Sequence, residues 1–148
     1  MFGPRKAATT YATVDLEARV TSASQHELIQ MLYDGAIFSV SQAHSAVTAQ
    51  DIAVKSQSTS RAISIIEEGL RGSLDKTKGG PIAENLDGLY EYMSQRLLLA
   101  SLRNDPNGMV EVKKLLTELR DAWISIRANA ARPIMGKSAT AALSNGRS

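Results

Sequence analysis

The 148-residue chain is 43% hydrophobic and 22% charged, enough apolar content for one folded domain and too much for a disordered polypeptide. It contains no cysteine, which excludes a disulfide scaffold and thiolate metal sites and fits a reducing compartment. The net charge of +2 is uneven: all 15 acidic residues lie between Asp15 and Asp121, while Arg5, Lys6, Arg132, Lys137 and Arg147 stand in the ends, so the middle offers no basic groove for nucleic acid.

Residues 1–20 mix Pro, Gly, Thr and Ala around a lone Tyr11, and read as an irregular arm. Nothing there resembles a signal peptide, and nowhere do about 18 apolar residues follow one another, so a cytoplasmic protein without membrane insertion is expected. Ser24-Gln25-His26-Glu27 matches a capping box, in which the Ser24 hydroxyl and Glu27 carboxylate satisfy each other's orphan N–H groups. The first helix then runs to about Gln50, with Leu28, Leu32, Ala36, Val40, Ala43 and Val47 as its apolar stripe. A second, from about Asp51 to Leu74, turns Ile52, Ala62, Ile63, Ile66 and Leu70 inward; no Gly or Pro marks its border with the first.

Asp75–Gly80 reads as a polar, Gly-ended turn, after which Pro81 has a φ already set for a first helical turn. Ile82, Leu86, Leu89, Tyr90, Met93, Leu97 and Ala100 continue a third helix to about Arg103. Asn104-Asp105-Pro106-Asn107-Gly108 is a dense turn signal. A fourth helix from about Met109 to Asn129 carries Val112, Leu115, Leu116, Leu119, Ala122, Trp123 and Ile126 on one side. Beyond Pro133 the residues are small and polar. Four long helices on short turns predict an all-α, antiparallel up-down four-helix bundle over 21–131, with an irregular arm (1–20) and a disordered tail (132–148).

Catalytic patterns are missing. Di-metal bundles use Glu-x-x-His pairs, but Ala23 and Ser41 stand three residues before the two histidines, His26 and His44. Gly79-Gly80 lacks the spacing and the Lys-Ser/Thr of a phosphate loop, and Glu67-Glu68 point to different parts of a helix surface. No enzyme, cofactor or metal is expected. More informative are apolar residues off the inner stripes: Met31 and Phe38 on the first helix, Val54 and Ile65 on the second, Leu98 and Leu102 on the third. Singly they are ordinary surface hydrophobes; recurring on three helices, they point to a binding surface.

Several segments together resemble one family. GGPIAENLDGLYEYMSQRLLLAS is similar to the GG-x-IA-x-NL-x-x-LY-x-YM-x-x-RL-x-x-A segment of the FliS flagellin export chaperones. Leu28–Ile37 resembles that family's L-x-x-MLYDGA helix start, Arg61–Asp75 its A-x-x-II-x-x-L-x-x-SLD segment, and Val112–Trp123 its V-x-x-LL-x-EL-x-x-AW ending. Tyr11 sits where the family has an N-terminal tyrosine motif, so the likeness covers about residues 10–127. Gln25 stands where relatives often have Pro, Pro81 where an acidic residue is frequent, and Leu99 and Ser101 where many are more polar. The resemblance implies a cytoplasmic four-helix chaperone that holds the disordered C-terminal segment of flagellin, prevents premature polymerisation and helps deliver it to the export apparatus. Flagellar regulatory proteins are further partners by the same resemblance. Tyr11, Met31, Phe38, Ile65, Leu98 and Leu102 are the expected partner-binding residues. Two rivals stand beside it: a self-associating structural or regulatory helical protein, whose apolar residues serve homo-oligomers, and a bundle enzyme with an interhelical pocket.

Overall fold

The computed structural model describes the backbone of residues 24–130 and the side chains as far as Ile126; the expected arm and tail fall outside these residues. Four helices fill the described chain: α1 (Gln25–Ala49), α2 (Ile52–Ser64, continued by a π-helical stretch Ile65–Arg71), α3 (Lys76–Arg103) and α4 (Pro106–Ala130).

Each helix begins where a short polar side chain can take up orphan N–H groups. The Ser24 hydroxyl accepts from the Glu27 N–H at 3.1 Å and donates to the Glu27 carboxylate at 3.2 Å, so the two ends of the predicted box bond to one another. Asp51 caps α2 by accepting from the Val54 N–H at 3.1 Å. Asp75 accepts from both Thr77 and Lys78. Asp105 accepts from Asn107, and Pro106 occupies the first turn, where its missing N–H costs nothing. The border between α1 and α2 is made by Gln50, left-handed at φ 59°, followed directly by the Asp51 cap. Asn104, at φ 52°, ends α3 in the same way. The expected turn over 75–80 is instead a capped helical turn starting at Lys76. The break comes at Gly80, whose φ of 54° and ψ of −135° suit glycine alone, and Pro81 restarts the helix.

The π-helical stretch has a cause in the sequence. Ala62, Ile66 and Leu70 are buried at successive spacings of four. On an α-helix each such step drifts by about 40°, so two would carry Leu70 about 80° off the core. Wider i→i+5 turns absorb the drift.

Side-chain pairs fix the topology. Arg71 meets Asp87, Ser94 meets Glu67, and Lys55 meets Asn104, so α2 and α3 are antiparallel. His26 with Trp123 and Asp34 with Arg120 make α1 and α4 antiparallel; Arg96 with Glu111 does so for α3 and α4. The core runs along the axis through Tyr33, Ala36, Val40, Ile66, Leu70, Met93, Leu97, Met109, Val112 and Leu116. Met93 is fully buried as expected, while Leu86 and Leu119 are half-buried against this core. Ile52 and Ile82, expected inward, are largely exposed. Both are in phase with the core, but they stand in the first turns after Asp51 and Pro81, past the last packed layer. At that end of α2 the inward positions are polar: Lys55, Ser58 and Thr59 are buried, and the Lys55 ammonium donates to the Asn104 side-chain carbonyl at 2.8 Å.

Candidate partner-binding surface

At the end of the bundle where α1 and α3 begin, the helices leave a cavity of about 380 Å³. Ile29, Leu70, Leu74, Leu86 and Trp123 give it apolar walls, and the exposed Ile82 stands at it too. Such a volume is at the small end of ligand pockets, which run from about 300 to 1,000 Å³. Two polar devices frame it. Tyr33 of α1 and Tyr90 of α3 meet across the bundle with hydroxyls 2.6 Å apart. Burial pushes both phenols above the ordinary tyrosine range, so both stay neutral. Beside the cavity, His26 and Trp123 stack with ring centroids 4.5 Å apart. The Trp123 indole N–H donates to the His26 carbonyl at 2.9 Å, and the His26 Nε2 lies 2.8 Å from the Trp123 carbonyl. A carbonyl only accepts, so Nε2 carries a proton, and the buried Nδ1 has no hydrogen-bond partner among the described residues. This clasp ties the start of α1 to the end of α4.

Along the sides the off-stripe residues divide. Phe38 is 60% exposed and, with Val54, flanks a shallow groove between α1 and α2 floored by Ala46. Leu98 and Leu102, 51% and 70% exposed, stand on the outer face of α3, and Leu99 is exposed on the same helix. Met31 is half-buried. Ile65 is half-buried as well but packs against the core, its Cδ1 lying 3.4 Å from where a Cβ on Gly35 would stand. The structure therefore joins Phe38 and Val54 in one groove, sets Leu98 and Leu102 on another face, and draws Ile65 inward. Tyr11 lies outside the described residues. Sequence reasoning did not find the end cavity or the Tyr33–Tyr90 pair; the spacing of 57 residues between the phenols carries no local signal.

Several of the charged residues are engaged with one another. Arg71 bridges Glu67 at 2.9 Å and Asp87 at 2.6 Å, with Glu91 nearby. Its hydrogen bonds hold the Asp87 carboxyl below the usual carboxylate range and raise the guanidinium further. Glu111, which accepts from Tyr92 and from Arg96, is likewise held low, first by the tyrosine and then by the arginine. Neither network is arranged as an acid and base around a shared substrate position. Among the described residues no group of three or more His, Asp or Glu is placed to hold a metal ion, and no helix is long and apolar enough to cross a membrane. What the arrangement offers is apolar surface in three places, framed by fixed polar groups.

A family model described as "Flagellar protein FliS" matches residues 7–130. The chain is 47% identical to the "Flagellar secretion chaperone FliS" of Salmonella typhimurium over 116 residues, 78% of this chain and 86% of that one. It is 42% identical to the protein of the same name from Escherichia coli, over 80% of this chain and 87% of the other. The "Flagellar secretion chaperone FliSB" of Pseudomonas aeruginosa is also 42% identical, over 82% and 95%.

Proposed function

The chain belongs to the FliS family, and from that premise we propose how its open apolar surfaces are used. It is a flagellar secretion chaperone with flagellin as its client. It holds flagellin's C-terminal segment in extended or helical form along the bundle, keeping the subunits from polymerising early and helping hand them to the export apparatus. The work is done in the cytoplasm by binding alone, without catalysis, nucleotide or metal.

The observation that carries this reading is the family match spanning nearly the whole bundle. The structure supports it by what it leaves uncovered. A segment that folds as it binds loses part of its interaction energy to ordering, and needs a long contact area in compensation. The cavity at one end, the Phe38–Val54 groove and the Leu98–Leu102 face supply apolar contacts well apart from one another. On this reading residues 21–131 are the chaperone domain. Phe38, Leu98 and Leu102 take up client side chains, Met31 and Ile65 back them, and Tyr11 in the arm (1–20) competes for an apolar site until the client arrives. Calorimetry with a flagellin C-terminal peptide in the presence of chelator tests the reading. Binding in the nanomolar to low micromolar range is expected, and no heat at tens of micromolar peptide refutes it.

A further inference from the structure

The Tyr33–Tyr90 pair carries an unbalanced proton count. The two residues are 4% and 2% exposed, and both line the end cavity. Two phenols hold two O–H protons, and the single hydrogen bond between them uses one. The accepting phenol keeps its own proton, and no acceptor for it stands among the described residues. A buried donor without an acceptor is unfavourable and rare in folded proteins. Of the other polar groups at the cavity, the Ser73 hydroxyl donates to the Gly69 carbonyl at 2.6 Å and the Asp75 carboxylate caps α3, while the exposed Lys78 stands at its mouth. The buried part of the cavity is thus apolar with one donor to give.

An incoming peptide has the complementary need. Its main-chain carbonyls lose water on entering an apolar site and must find a donor there. We propose that the spare phenolic proton is the polar anchor of the cavity: the bound flagellin segment seats an apolar side chain among Ile29, Leu70 and Leu86, and the phenol pair donates to a main-chain carbonyl beside it. Because either phenol can donate to the other, the pair presents its free proton from whichever oxygen is nearer the carbonyl. The inference rests on the flagellin-holding reading above, and it adds a donor with a defined address to a surface otherwise selective only for apolar character.

The test compares the full-length chain with Tyr33→Phe, Tyr90→Phe and the double variant, by calorimetry with the flagellin C-terminal peptide and by thermal melts of the free proteins. Each single variant keeps one O–H and should bind within about threefold of the unsubstituted chain, whereas the double variant should bind at least about tenfold more weakly. The double variant should nevertheless melt no lower than the singles, since removing both partners strands no polar atom. Double-variant affinity within about twofold of the unsubstituted chain overturns the proposal, because the proton is then held by water or unused. So does an affinity loss that follows the melting temperature across all three variants, which assigns the effect to packing. Failure of the unsubstituted chain to bind overturns the underlying reading and the proposal with it.

Discussion

Two helical glycines should respond to the same substitution with opposite sign. Gly108, in the first turns of α4, is buried against α3, and a Cβ built on it would stand 2.5 Å from the Ala100 Cβ and 3.0 Å from an Arg96 guanidinium nitrogen. Both carbons are fixed to backbone, so reaching ordinary contact requires the two helices to part by about an ångström. Overpacking of that kind costs about 1–3 kcal/mol. Replacing a helical glycine by alanine gives back about 0.5–1 kcal/mol in backbone entropy, so Gly108→Ala should lose roughly 0.5–2 kcal/mol. Gly88 is exposed on α3, and a Cβ added there would meet nothing within 4 Å, so it has only the gain. Gly88→Ala should therefore stabilise by about 0.5–1 kcal/mol. Urea unfolding followed by far-ultraviolet circular dichroism gives both values, with unchanged slopes showing that only stability has moved. Adding Ala100→Gly to Gly108→Ala should recover part of the loss, a coupling expected only of touching residues. A Gly108→Ala protein as stable as the unsubstituted chain would show that α3 and α4 do not approach through this position.

Leu98→Gln and Leu102→Gln should each change stability by no more than about 0.5 kcal/mol while weakening peptide binding, whereas Met93→Ala should cost about 2–5 kcal/mol. A large fall in the melting temperature of Leu98→Gln would place that side chain in the core. Asp87 tests the ion-pair network. Its folded carboxyl lies below the ordinary value of 3.8 because Arg71 donates to it, so its contribution is present above about pH 4 and fades as pH falls through the folded value. The unsubstituted chain should accordingly lose stability more steeply than Asp87→Asn on acidification below about pH 4, and superimposable acid limbs would rule the pair out as a stabilising contact. Deleting residues 1–18 should tighten peptide binding if Tyr11 is a competitor; weaker binding would make it a clasp, and no change in affinity or solubility would leave it without a role.

Much of the bundle is legible in the sequence because helix periodicity is a local signal. The Ser24–Glu27 box, the Pro81 restart, and Leu98 and Leu102 facing away from the stripe all follow from spacing along a single helix. The misjudged positions depend on where helices stop relative to one another. Ile52 and Ile82 have the right phase, but phase does not reveal whether a packed layer lies opposite. A constant 100° per residue puts Ile65 on the surface, and the π-helical turns change that angle where it stands. The phenol pair and the His26–Trp123 clasp join residues 57 and 97 apart, and only the tertiary fold brings such partners together.

The π-helical stretch Ile65–Arg71 also bears on how the chain tolerates changes in length. A single deletion within α1 or α3 rotates everything downstream by about 100°, turning core residues to the surface and surface residues to the core. A helix that already holds one residue more than regular α turns need can lose one and relax to ordinary geometry, leaving the faces on either side nearly aligned. Arg71 would stay opposite Asp87, and Leu74 would stay beside the cavity. Of the helical segments described, this is the one where the bundle can absorb a shorter chain without being rewound.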